Sequence, residues 1–293
     1  MDDDAASPLP PSGGLTLVAT PIGNLDDIPA RALQALRGAD TVLCEDTRVT
    51  AKLLARHGVA ARLAALHDHN EEAEAAPLVK RMLAGEKLAL VSDAGTPLMS
   101  DPGYRLVRAA IAAGVAVTGI PGPNAAVLAL TLSGLPPHPF LFLGFLPARG
   151  GPREAELGRL RAAETAGLSA TLLFYEAPHR AAETLAALRD ALGADRPAAL
   201  ARELTKRFEE VRRGTLAELA AHYEAHPARG EVVLVVGPAP PPDAPAEETL
   251  DALLRRAMET LSLRDAAAHV AAATGMPRKQ VYARALEIGK GAG

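Results

Sequence analysis

Leu88-Ala89-Leu90-Val91-Ser92-Asp93-Ala94-Gly95-Thr96-Pro97-Leu98-Met99-Ser100-Asp101-Pro102-Gly103 runs from a short apolar segment straight into Gly, Pro, Ser and Asp. The apolar part reads as a strand buried on both faces, and the polar part abandons every regular periodicity. An ordinary strand-to-helix turn needs about two to six residues. A longer loop at the carboxyl end of a strand, in an open α/β sheet, is where a ligand crevice is built. Gly95 and Gly103 permit positive φ and close backbone approach, while Pro97 and Pro102 fix the turns between them.

The same alternation extends in both directions. Upstream, a strand over 15–20 is broken by Pro21-Ile22-Gly23-Asn24-Leu25. A helix with apolar positions Ile28, Ala32, Leu33 and Leu36 follows; Asp26 or Asp27 caps it and Pro29 suits its first turn. Strands over 41–44, 63–66, 88–92 and 115–120 then alternate with helices near 50–56, 73–84 and 104–113, which predicts a mostly parallel sheet covered on both faces. Pro121-Gly122-Pro123-Asn124 punctuates before a helix reaching Leu132. Beyond it, strand-like runs at 140–145, 169–175, 198–203, 208–214 and 232–236 come with a capped helix over 215–223. Fewer helices per strand suggest a second α/β domain with a mixed sheet.

These readings give a disordered leader over 1–14, an N-terminal α/β domain over 15–121 and a second α/β domain over 122–236. A Pro-rich linker over 237–248 leads to a helical module over 249–293, with short helices at 253–258, 263–274 and 277–288.

Composition narrows the function classes. Hydrophobic residues make up 48% of the 293, enough for real cores, while aromatics are 3% and Trp is absent, which offers little platform for stacking bases. The single cysteine, Cys44, ends an apolar run and reads as core. It excludes an intrachain disulfide and a cysteine zinc cluster, and it suits a reducing cytoplasm. No run approaches the roughly 18 apolar residues of a membrane span, and the acidic start Met1-Asp2-Asp3-Asp4 is unlike a signal peptide. A soluble cytoplasmic protein is expected. The net charge of −4 argues against binding nucleic acid by bulk electrostatics. From Asp251 onward, however, seven basic side chains face four acidic ones, so a basic tail (+3) follows an acidic body (−7).

Further blocks are polar or turn-forming directly after apolar strands: Ala19-Thr20-Pro21-Ile22-Gly23-Asn24-Leu25, Glu45-Asp46-Thr47-Arg48, Phe174-Tyr175-Glu176-Ala177-Pro178-His179-Arg180 and Arg202-Glu203-Leu204-Thr205-Lys206-Arg207-Phe208-Glu209-Glu210. With the opening loop and Pro121-Gly122-Pro123-Asn124-Ala125, they resemble the tetrapyrrole methylase superfamily, the class III S-adenosylmethionine-dependent methyltransferases. Within it they are most similar to the branch that methylates a cytidine 2′-hydroxyl of 16S ribosomal RNA. The resemblance runs from about residue 15 to 236, and the tail resembles that branch's C-terminal helical module.

It implies two α/β domains with S-adenosylmethionine in the cleft between them, a homodimer, and the small ribosomal subunit as partner. It also implies donor contacts at Thr20, Pro21, Asp93, Gly95, Thr96, Pro97, Asn124, Ala125, Tyr175 and Leu204.

The residues are compatible with that chemistry when read alone. S-adenosylmethionine has no phosphate chain, so its site needs backbone groups, a carboxylate for the ribose and close walls; phosphate-cradling glycine motifs are absent. Methyl transfer to a hydroxyl needs alignment and a base. Glu45, Asp46, Glu203 and Lys206 each follow a strand end and are candidates, although Lys206 would have to be buried to accept a proton. Arg48, His179, Arg180, Arg202 and Arg207 are candidates for RNA phosphates, because the guanidinium fork suits that group; the alternative is ion pairing with Glu45, Glu176 or Glu209. His67-Asp68-His69-Asn70-Glu71 invites a metal reading but lacks a third convergent ligand, and no metal is expected. No Gly-x-Ser-x-Gly elbow surrounds Ser92, Ser100, Ser133 or Ser169, which disfavours a hydrolase. Two other functions fit the same fold: methylation of a small tetrapyrrole, and a non-catalytic ribosome-assembly factor that binds the donor as a sensor.

Overall fold

The computed structural model describes residues 9–10, 13–240 and 247–290. The rest of the expected leader and residues 241–246 of the expected linker lie outside these residues. Leu9 is buried in the same apolar cluster as Leu36, and Gly14 already belongs to the first strand, so the leader ends before Gly14.

The first sheet contains β1 (Gly14–Val18), β2 (Thr41–Cys44), β3 (Leu63–Ala65), β4 (Lys87–Val91) and β5 (Val117–Ile120), all parallel, in the order β3-β2-β4-β1-β5. Its helices are α1 (Ala30–Gly38), α2 (Thr47–Arg56), α3 (Glu71–Leu83) and α4 (Tyr104–Ala112). Strand periodicity of two decides which face each residue serves. Ala89 and Val91 join Leu36, Leu53 and Leu54 on one side, while Leu88 and Leu90 join Leu78, Met82 and Leu106 on the other. Cys44 is buried in the first of these clusters. From β1 the chain crosses toward β2, whereas from β4 it crosses the opposite way to β5. The order therefore reverses between β1 and β4, the place where α/β sheets open a crevice.

The second sheet has the order β6-β7-β10-β8-β9. Its strands are β6 (Phe140–Phe145), β7 (Thr171–Glu176), β8 (Pro197–Arg202), β9 (Glu210–Thr215) and β10 (Val232–Val236). Only β6 and β7 pair in parallel, so the sheet is mixed.

The expected scarcity of helices here is corrected by α6 (Gly150–Thr165) and α7 (Ala181–Leu192), which accompany α5 (Ala125–Ser133) and α8 (Leu216–Ala225). Helix α6 opens on Gly-Gly-Pro and buries only Arg153, Leu157 and Leu160, too thin a stripe to declare itself. Helices α6, α7 and α8 cover one face through Leu157, Leu185, Leu188 and Leu219. Helix α5, apolar on all sides, covers the other through Ala126, Ala129 and Leu130. Ile22, from the loop after β1, is buried in that same cluster with Leu204, which locks the two sheets together.

Residues 240–293 form a separate compact unit. Its helices α9 (Glu247–Met258), α10 (Leu263–Thr274) and α11 (Arg278–Lys290) enclose Leu254, Ala267, Val270, Val281 and Ala285. Ser262 caps α10 and Gly275 ends it in the left-handed conformation. Arg284 clamps Asp251 through two bonds of 2.7 and 2.9 Å and also meets Glu287. Among the described residues no helix is long and apolar enough to cross a membrane.

Candidate active site

The loops after β1 and β4 are stitched together at the switch point. Thr20 and Gly95 exchange backbone hydrogen bonds of 2.8 and 3.1 Å. The Thr20 hydroxyl donates to Ser92 O at 3.0 Å, and the Ser92 hydroxyl donates to Gly95 O at 3.0 Å. Gly95 has φ +86°, and a Cβ there would stand 3.3 Å from the Ile22 side chain. A side chain would be strained in φ and would crowd the wall that Ile22 supplies. Thr96 donates to Pro123 O and accepts from the Asn124 side-chain amide, while Asn124 also caps α5 by accepting from Val127 N. The loop before α5 is thereby tied to the loop after β4.

Between the two sheets these loops border a cavity of about 400 Å³. One wall is Asp93, Gly95, Met99, Ser100 and Asp101; the other comes from Ala125, Phe145, Tyr175, Glu176, Gly230 and Glu231, with Ile22 and Val233 completing it. The volume and the mix of apolar wall with a few polar groups suit a small-molecule ligand. Tyr175 is packed edge-on against Phe142, with ring centroids 4.9 Å apart, and lies 5.7 Å from Phe145. Burial raises its phenol pKa.

The cavity is electrostatically acidic. Burial, then the charges of Glu45, Asp93 and Asp68, push the Asp101 carboxyl up to about 6. Partial desolvation and Asp93 likewise raise Glu45, whose side chain is otherwise exposed. Asp93 accepts the Asp46 backbone N–H at 3.1 Å.

Of the expected donor-binding residues, Asp93, Gly95, Ala125 and Tyr175 line this cavity. Thr20, Pro21 and Leu204 are buried behind it. Thr96 and Pro97 border a neighbouring hollow with Ala19, Pro121 and Gly122, and Asn124 borders another with Ile22 and Thr205.

The expected bases are placed differently. Asp46 caps α2 and is bonded by Arg48, which holds its carboxyl down at about 2. Glu203 and Lys206 bond each other at 2.9 Å, and Lys206 also reaches Glu231 at 3.0 Å. Burial alone would lower Lys206, but these bonds outweigh it and hold the ammonium above its usual value, so Lys206 is a cation and no proton acceptor. The hydrogen bond from Lys206 lowers Glu203. Glu45 alone of the four keeps a raised carboxyl. Asp101 escaped the sequence reading although it stands inside the opening loop, because its company (Glu45 after β2, Asp68 after β3, Tyr175 on β7) converges only in three dimensions.

Among the expected RNA contacts, Arg48, His179 and Arg207 are exposed, Arg48 while paired with Asp46 at 2.6 Å and Arg207 over the ring of exposed Phe208. Arg180 instead donates to Leu146 O and pairs with buried Glu176, and Arg202 pairs with Glu210 at 2.8 Å. The 67–71 motif is not a metal cradle. Asn70 closes a turn on His67 N, and buried Glu71 accepts Leu106 N, capping α4 from α3. Among the described residues no group of three or more His, Cys, Asp or Glu is placed to hold a metal ion.

The model of the family Tetrapyrrole (Corrin/Porphyrin) Methylases matches residues 14–220, the whole first sheet and the second as far as α8. The chain belongs to this family. A second model, the RsmI C-terminal HTH domain, matches residues 243–289, the three-helix unit. Among curated relatives, the "Ribosomal RNA small subunit methyltransferase I" of Mesorhizobium japonicum is 49% identical over 286 residues, covering 97% of this chain and 94% of that protein. Those of Erythrobacter litoralis (50%; 98% of each chain) and Escherichia coli O157:H7 (43%; 94% and 95%) carry the same name.

Solved structures share the fold. The methyltransferase CobJ superposes with a TM-score of 0.56 at 22% identity, over 78% of this chain and 95% of that one. A uroporphyrin-III C-methyl transferase from Thermus thermophilus, complexed with S-adenyl homocysteine, gives 0.54 at 21%, over 77% and 97%. This tetrapyrrole methylase family member is a methyltransferase, and its two-sheet cleft is the family's architecture.

Proposed function

We propose that the protein transfers a methyl group from S-adenosylmethionine to the ribose 2′-oxygen of a cytidine in 16S ribosomal RNA, acting in the cytoplasm on the small subunit. The carrying observation is full-length similarity at 43–50% to enzymes named for small-subunit ribosomal RNA, helical unit included. The corrin and porphyrin enzymes match at 22% or less in the structures above, a level that carries fold and not substrate.

The cavity fits the donor on its own chemistry. Gly95 keeps one wall flat, Ile22, Met99 and Tyr175 offer apolar contact, and Asp93 offers a carboxylate to a cationic ligand. When bound there, S-adenosylmethionine supplies an electrophilic methyl group on a positively charged sulfur. Gly95, Ala125 and Tyr175 would hold the donor, with Thr20, Thr96 and Asn124 fixing the loops that shape its site. Arg48, His179 and Arg207 are the exposed groups for RNA phosphates, and the helical unit a second contact. A homodimer belongs to this reading: the edge strand β6 leaves Phe140 and Leu141 exposed, apolar surface that a second copy would cover.

The test is incubation with labelled S-adenosylmethionine and small ribosomal subunits from cells lacking the enzyme, followed by nuclease digestion and mass spectrometry. Label on a cytidine ribose is expected. Donor binding without label on any small-subunit RNA would refute the reading.

A further inference from the structure

We propose that Asp101 is the general base of the reaction, accepting the proton of the acceptor hydroxyl as the new oxygen–carbon bond forms. The inference rests on the reading above, that the site methylates a ribose hydroxyl.

Three independent observations converge on this side chain. The first is placement. Asp101 lies on the cavity wall opposite Tyr175 and Phe145, where groups from both sheets face one space. Its loop is built to hold it there: Leu98 and Ser100 both adopt φ +72°, a conformation that costs a non-glycine residue stability. Pro102 follows and biases Asp101 toward an extended backbone, and Gly103 at φ +123° then starts α4. Strain that a simple strand-to-helix turn does not require is spent on the two residues that present the carboxylate.

The second is availability. Every other carboxylate on the cavity wall is engaged. Asp93 accepts Asp46 N, Glu176 accepts Ala177 N and the Thr184 hydroxyl, and Glu231 meets Lys206. Among the described residues, no hydrogen bond or ion pair engages Asp101. A base needs a lone pair that the protein has not used.

The third is electrostatic environment. The groups facing Asp101 are Glu45 after β2, Asp68 after β3, Asp93 in its own loop and the Tyr175 phenol on β7. Among the described residues no Lys or Arg lines the cavity to offset them. Burial and these charges hold its carboxyl at about 6, so it is ionised at neutral pH yet far more basic than an exposed aspartate. Glu45 shares the acidity but lies outside the wall.

The step balances. The O–H proton passes to an Asp101 oxygen, and the hydroxyl electron pair forms the bond to the methyl carbon. The carbon–sulfur pair stays on sulfur, leaving a neutral thioether, and Asp101 then returns its proton to solvent.

The test compares wild type with Asp101→Asn and Glu45→Gln in the full chain. Asp101→Asn is nearly isosteric and relieves repulsion, so it should fold and bind S-adenosylmethionine by calorimetry within about threefold of wild type, while methyl transfer to small subunits falls on the order of 10²–10⁴-fold. Wild-type kcat/KM should rise about tenfold per pH unit below a midpoint near 6 and level off above it, and Glu45→Gln should keep such a limb with its midpoint moved to lower pH. Independently of turnover, a ¹³C carboxyl resonance that Asp101→Asn removes should titrate near 6 in the free protein. Asp101→Asn within tenfold of wild type, with the same pH limb, would overturn the assignment. A wild-type protein that binds donor and methylates no small-subunit RNA would instead defeat the underlying reading.

Discussion

Asp101 carries a stability cost that follows from its surroundings. Its folded pKa of about 6 lies above the ordinary aspartate value near 3.9, so the folded state binds the proton more tightly than the unfolded chain. The protonated form therefore contributes stability below the unfolded pKa, and that contribution is lost as pH rises through about 6. Asp101→Asn should melt at a higher temperature than wild type at pH 8 and at nearly the same temperature at pH 4; calorimetric scans at the two pH values decide it. Gly230 sits at φ +77°, and a Cβ would fall 2.1 Å from Glu203 Oε1. Gly230→Ala should destabilise by about 1–3 kcal/mol in urea titration and break the Glu203–Lys206–Glu231 cluster. At this scale the positions of Asp93 and Gly95 in the loop after a strand and of Ala125 at a helix start were legible, and Tyr175, inside β7, lines the same cavity. The engagement of Asp46 by Arg48, and of Arg180 by Leu146 and Glu176, was not legible. Strand-end position says where a side chain starts and nothing of which neighbour it meets.

The helices and strands show how far periodicity reaches. The strand over 88–92 in sequence is Lys87–Val91 in the structure, and the helix over 73–84 is Glu71–Leu83. Helix α6 was illegible because glycines and charges dilute its apolar stripe. His, Asp and Glu in close spacing at 67–71 resemble ligands but lack a third convergent one, and the structure uses Glu71 as a buried cap. Leu106 N has that carboxylate as its partner at 3.0 Å in a buried site. Glu71→Ala should cost about 1–3 kcal/mol by leaving the donor unsatisfied, measured as a lower urea midpoint with an unchanged slope. An unchanged midpoint would remove Glu71 from the account of how α4, and so the end of the 92–103 loop, is held.

In the whole molecule, a parallel sheet brings its switch point against a mixed sheet, and the cavity forms where loops from both converge. The parallel sheet and the mixed character of its partner were readable from strand spacing and helix alternation; the acidity of the cleft required the two sheets to be assembled. On the proposed function, an acidic body would contact RNA through local basic groups, which makes binding dependent on a few exposed side chains. Arg48→Ala combined with Arg207→Ala should weaken small-subunit binding and reduce the slope of log affinity against log salt by about 1–2. An unchanged slope would remove both from the RNA contact.

The most direct test of the central claim is to map methylation of 16S ribosomal RNA from cells with and without this protein by nuclease digestion and mass spectrometry. The account predicts one cytidine 2′-O-methyl group present with the wild-type chain, absent without it, restored by wild type and not by Asp101→Asn. Identical maps in the presence and absence of the protein would contradict it.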